Sequence, residues 1–185
     1  MTYFKSPKMK NIFILSCIVG LFFSCKKGDD NGNYYMSCDI DGVSKTFNMG
    51  LFCHPEWGSG NKAVTINGLT SFSSNTASMG WVITNLPSKD SIIPGVYNDT
   101  STKFEVLASY VSDQSTSGDY EAGTSEYAET QRDGVTIINH FVVEITSLTN
   151  QSARGKFSGD FYFNGDTHGK KITVTNGSFY APIVQ

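Results

Sequence analysis

From Tyr35 onward no sustained stretch keeps apolar residues at three- and four-residue spacing. Thr, Val, Ile, Phe and Tyr instead alternate with polar residues, and Gly, Asn, Asp and Ser interrupt roughly every ten residues. Alternation of period two turns one row of side chains inward and the next outward, so the chain is committed to strands. The expected fold is all-β, a single-domain antiparallel β-sandwich, with a β-barrel as the alternative.

The firmest local signal is Asp41-Gly42, whose residue types suit the two positive-φ positions of a type I′ turn. It predicts a hairpin of Tyr35 to Ile40 and Val43 to Asn48, with Met36 opposite Phe47, Ile40 opposite Val43, and Cys38 on the inward face with Met36 and Ile40. Further strands are expected at Ala63 to Thr70, Met79 to Leu86, Ile92 to Tyr97, Phe104 to Val111, Ser125 to Thr130, Val135 to Leu148, Ala153 to Phe163 and Ile172 to Ile183. Trp81 shares the parity of its strand's apolar residues and reads as core. Ile137, Phe141, Val143 and Ile145 share one parity, as do Phe157, Phe161 and Phe163, so these two segments, joined by Thr149-Asn150-Gln151-Ser152, read as the central hairpin. In the last segment the inward parity swaps between Val174 and Phe179, which predicts a β-bulge at Asn176-Gly177. Asp113 to Glu129 reads as a long loop or frayed edge.

Residues 1–24 read differently. Lys5, Lys8 and Lys10 precede an uncharged run from Ile12 to Phe23, and Ser24-Cys25 closes it, the layout of a secretory signal with a small residue before an acylated cysteine. A membrane-spanning helix needs about 20 apolar residues, more than this run supplies before Lys26-Lys27. Cys17 also follows a serine, but cleavage there leaves too short an apolar region, so Cys25 is the expected lipidation site. Several acyl chains, at about 0.8 kcal/mol per buried CH₂, fix a protein to a bilayer. Residues 25–33 carry no large apolar side chain and are expected to act as a flexible tether; residues 34–185 are the folded domain.

The 185-residue chain carries 17 acidic and 14 basic residues, a net charge of −3, and three of its lysines leave with the signal. Net acidity with scattered basic residues argues against nucleic acid as a partner and against docking on anionic headgroups. The expected partners are the membrane, through the anchor, and a glycan or another envelope protein.

Phe22-Phe23-Ser24-Cys25 followed by Asp29-Asp30, the early Ile40-Asp41-Gly42, Pro94-Gly95-Val96-Tyr97, Val143-Glu144-Ile145-Thr146-Ser147-Leu148, Gly155-Lys156-Phe157-Ser158-Gly159 and Ile172-Thr173-Val174-Thr175-Asn176-Gly177-Ser178-Phe179 together resemble a group of small uncharacterised Bacteroidota-type lipoproteins. The resemblance implies a β-sandwich anchored in the outer membrane, facing the periplasm or the cell surface, with no established activity and no catalytic residues to carry over. Asp90-Ser91-Ile92 similarly resembles the triplet at which such proteins receive O-linked glycans, which makes Ser91 the candidate acceptor.

Chemistry is sparse. Cys38 and Cys53 are the cysteines left after export, and in an oxidising compartment they either form a bridge, worth roughly 3 kcal/mol for a loop of about 15 residues, or pack as separate buried thiols. His54, His140 and His168 show no ligand spacing, so no metal and no cofactor is expected. Ser59 lies between glycines without the flanking pattern of a nucleophile elbow and reads as loop. Glu105 and Glu144, each on the polar parity of a strand, are the one carboxylate pair a glycan-active hydrolase would use; the plainer reading is solvent-facing charge. Aromatics form 13% of the chain, and Trp57, Tyr120, Tyr127 and Tyr180 fall where the core does not require them. A sugar's C–H face packs on such rings, so the expected function is a non-catalytic ligand-binding or envelope-interaction module, with the hydrolase and a structural role in a surface assembly as alternatives.

Overall fold

The structure is a computed structural model that describes residues 33–56, 62–73, 76–85, 91–112, 119–124, 134, 136–163 and 170–184. Tyr35–Ile40 (β1) and Val43–Thr46 (β2) form the expected hairpin, with Asp41 and Gly42 at φ 49° and 79°. The other described strands are Met49–Glu56 (β3), Ala63–Leu69 (β4), Ser78–Asn85 (β5), Gly95–Asn98 (β6), Phe104–Val111 (β7), Asp119–Gly123 (β8), Val142–Leu148 (β9), Ser152–Phe163 (β10) and Lys171–Pro182 (β11).

The chain is all-β, as its alternation requires. Its layers come from one sheet that curls over its own core into a half-barrel, ordered β2-β1-β11-β10-β8-β7-β5-β4-β3, with β9 also on β10 and β6 on β9. The central strand β10 makes this branching work: Ala153 to Ser158 pair with β9, whereas Tyr162 and Phe163 pair with β8. The curl is tied at one corner. Cys53 of β3 bridges Ile183 beyond β11, the Val184 N–H donates to the Cys53 carbonyl at 2.9 Å, and the Ile183 N–H donates to that of Gln151 at 2.8 Å.

Phe47 plugs the side between the hairpin and β4. Its N–H donates to the Met36 carbonyl at 2.8 Å, its carbonyl lies where a Cβ on Gly68 of β4 would stand, and its fully buried ring meets Tyr110 edge-on at 6.3 Å. Around it Met36, Ile66, Met79, Ile83, Phe141, Phe161 and Phe179 are buried, and Trp81 packs edge-on against Phe179 at 5.1 Å.

The bulge forms where the parity swaps. Asn176 has φ 53°, and β11 gains one residue there against both neighbours: Ser37 and Asp39 pair with Ser178 and Thr175, Phe157 and Gly159 with Gly177 and Val174. Three expectations are corrected. Met49 to Glu56, where the alternation predicts no strand, forms β3; part of the expected loop at Asp113 to Glu129 is β8; and the long strand from Val135 begins only at Val142. The expected strand Ser125 to Thr130 lies outside the described residues.

Candidate functional site

A groove of about 530 Å³ lies on the outward face of β4, β5, β7 and β8 with Phe52 of β3 at its side. The pairing builds it. Thr65, Val82 and Leu107 lie side by side across three strands, and Asn67, Gly80, Ser109 and Glu121 form the next row across four. Side chains two apart on a strand share a face, so these rows stand together on the water side of the sheet while Ile66, Trp81, Ala108 and Ala122 point into the core beneath them. Gly80 deepens the groove: a Cβ there would meet the Asn67 Oδ1 at 2.8 Å, so the Asn67 amide lies across the space a side chain would fill. Val82, Leu107 and Phe52 are half-buried although they face outward, and they supply an apolar floor. Thr65, Asn67, Ser78, Ser109 and Glu121 supply hydroxyl, amide and carboxylate groups around it. The volume falls within the roughly 300–1,000 Å³ of small-molecule sites.

A second, more polar cluster lies where residues 139–141 cross the end of the barrel. Asp99, buried just after β6, accepts the Phe141 N–H at 3.0 Å through Oδ2 and sits 2.9 Å from the Nδ1 of His140 through Oδ1. Burial pushes the Asp99 carboxyl above its ordinary range despite those donors. Asp160 of β10, its side chain wholly buried, accepts from Lys171 Nζ at 2.6 Å, Thr173 Oγ1 at 2.8 Å and Asn139 Nδ2 at 3.2 Å. Burial alone would raise the Asp160 carboxyl, but the three donors outweigh it and hold it below the ordinary value. Asp99 from the turn after β6 and Asp160 from β10 thus both pin residues 139–141, a structural role that accounts for two buried acids.

The sequence-expected residues are dispersed. Cys25, Trp57, Ser59, Tyr127 and His168 lie outside the described residues. Tyr120, expected as an exposed ligand contact, is only 6% exposed; its ring packs on Tyr110 and Phe163, because residue 120 falls on the inward parity of β8. Tyr180 is half-buried beneath the Arg154 guanidinium, 3.9 Å from its ring centre. Ser91 is exposed and accepts a hydrogen bond from Lys62 Nζ at 2.8 Å. Glu105 pairs with Thr84 of β5, whereas Glu144 pairs with Val96 and Lys156, so the two carboxylates stand on strands that do not adjoin.

The disulfide does not form. Cys38 and Cys53 are both buried and free. Cys38 lies opposite the bulge at Asn176-Gly177 and Cys53 beside Ile183, roughly 20 Å apart along β11, against the 7 Å that a bridge tolerates between Cα atoms. Burial pushes both thiols up to about 12. Among the described residues no three His, Cys, Asp or Glu side chains converge as metal ligands.

A second hollow of about 430 Å³ lies along β6, which pairs only with β9 among the described strands; Ile93 and Val96 are well exposed beside it. Compared with known proteins, the chain matches no family model, no curated protein and no solved structure.

Proposed function

We propose that the protein is a lipid-anchored, non-catalytic binding module of the outer membrane that holds a glycan in the groove on β4, β5, β7 and β8. The reading is carried by one observation, the groove's combination of an apolar floor of Phe52, Val82 and Leu107 with the polar groups of Thr65, Asn67, Ser109 and Glu121. A sugar ring needs that combination: its C–H face loses water against apolar side chains while its hydroxyls exchange hydrogen bonds with amide and hydroxyl groups. The sequence pattern that ends at Ser24-Cys25 supports the anchor.

A glycan array with Phe52→Ala, Asn67→Ala and Trp57→Ala as variants tests the reading. Specific binding that falls with Phe52→Ala and Asn67→Ala is the expected outcome. Binding unaffected by both changes, but lost with Val96→Lys, would move the function to the β6 edge and favour the assembly role instead.

A further inference from the structure

An exposed apolar strip starts where the domain starts. The Met36 N–H donates to the Asn48 Oδ1 at 3.0 Å, which sets Tyr35 of β1 close to Met49, the first residue of β3. Met49 pairs with Leu69 of β4, and a Cβ on Gly50 would stand 3.5 Å from the Phe72 Cε1, so the strip continues into the turn after β4. Phe72 is 73% exposed, Tyr35 41% and Met49 39%, whereas Ser37, Thr65 and Asn67 fill other outward positions on β1 and β4. Tyr34 fixes the near end: it packs on the core, and its ring lies 4.9 Å from that of Tyr180. The surroundings are uncharged. Residues 33–38, 46–53, 63–73, 76–85 and 172–184 contain no Asp, Glu, Lys or Arg. The titratable groups on the strip's own strands and neighbours stand further along: Asp39 is four residues from Tyr35, His54 and Glu56 are five and seven from Met49, Lys45 lies on β2, and Arg154 is engaged on the Tyr180 ring.

We infer, building on the anchor reading at Cys25, that this strip docks on the bilayer, with Tyr35, Met49 and Phe72 seated at the boundary between headgroups and acyl chains. Chain length carries the argument. Eight residues separate Cys25 from Tyr34, so Tyr34 stays within about 30 Å of the acylated sulfur at full extension and about 15 Å at coil dimensions. An anchor that short presents the strand end bearing Tyr34 to the bilayer, and that end carries the strip. Tyrosine favours the headgroup level, where its ring is covered and its hydroxyl stays wet, while Phe and Met side chains reach the acyl boundary. The strip offers apolar area rather than charge, so docking needs no basic patch from a chain of net charge −3 and should be insensitive to salt.

The test reconstitutes the full chain, purified in detergent from the membranes of its producing cells, into phosphatidylcholine vesicles with and without lipid brominated along its acyl chains. Two variants report position: Phe72→Trp in the strip, and Ile138→Trp, also exposed but in the crossover before β9. Emission from Trp57 and Trp81 is subtracted using the unsubstituted chain. A ring about 5–10 Å into the boundary meets the bromines, so Phe72→Trp should lose about half of its added emission while Ile138→Trp keeps its own. Raising NaCl to about 0.5 M should leave that loss unchanged. Adding Tyr35→Ser and Met49→Ser to the Phe72→Trp chain should remove most of the quenching while the chain still floats with the vesicles. Flotation with neither reporter quenched, or with both quenched alike, overturns the docking face and leaves the anchor reading standing. Quenching abolished by salt, or unmoved by the added serines, also overturns the inference. Shielding of the Phe72→Trp ring that rises with protein concentration in detergent, without vesicles, overturns it in favour of a second copy of the chain. A chain that does not float overturns the anchor reading together with it.

Discussion

Removing the Asp160 carboxylate should loosen one end of the barrel by an amount that can be worked from its contacts. Asp160→Ala deletes a charge-assisted bond from Lys171, worth roughly 1.5–3 kcal/mol, and two neutral donors worth about 1 kcal/mol each. Lys171 is 39% exposed and regains water, which returns part of that loss. The net cost should be about 3 kcal/mol, which for a domain of this size lowers Tm by about 6–12 °C. The pH dependence separates the charge from mere packing. Because the folded carboxyl titrates below its ordinary value, its stabilisation is fully present above about pH 4 and is lost as pH falls through the depressed folded value. Urea titrations between pH 7 and pH 3 should therefore show wild type and Asp160→Asn converging as the solution is acidified. A loss below about 1 kcal/mol at pH 7, or a difference that does not shrink on acidification, would refute the role given to this residue.

Other consequences follow from packing and burial. Phe47→Ala removes a fully buried ring that plugs the space between the hairpin and β4, and should cost about 3–5 kcal/mol by urea denaturation. Gly159→Ala should be comparably harmful: its φ is 150°, and a Cβ would stand 2.5 Å from the Phe141 Cα, so the crossover would have to lift, with hydrogen exchange rising at residues 139–141. Cys38 and Cys53, pushed up to about 12, should resist iodoacetamide at pH 8 in the native protein and react fully in urea, with no change in intact mass on reduction.

The sequence made local pairings legible and distant ones invisible. Asp41-Gly42 marked the first hairpin because both residues tolerate positive φ, and the parity swap across Asn176-Gly177 marked the bulge because inward faces must remain inward. β3 was hidden by Gly50, at φ 56°, and Pro55, residues that usually end strands, yet the corner contact with Ile183 and Val184 keeps it in the sheet. β8 was hidden by its shortness and acidity, although Tyr120 and Ala122 alternate inward with Asp119 and Glu121 outward. Residues 137–141 keep strand parity but leave the sheet, because Asp99 and Asp160, both distant in sequence, bind their backbone and side chains. The groove was not legible at all. Its floor joins Phe52, Val82 and Leu107 from three strands, and only the pairing register brings them together.

Backbone amide shift mapping, with a glycan recovered from the array titrated into the ¹⁵N-labelled full chain, tests the binding claim most directly. Saturable shifts concentrated at Phe52, Asn67, Val82, Leu107, Ser109 and Glu121 are the expected result; shifts clustered along β6, or none at saturating glycan, would contradict it.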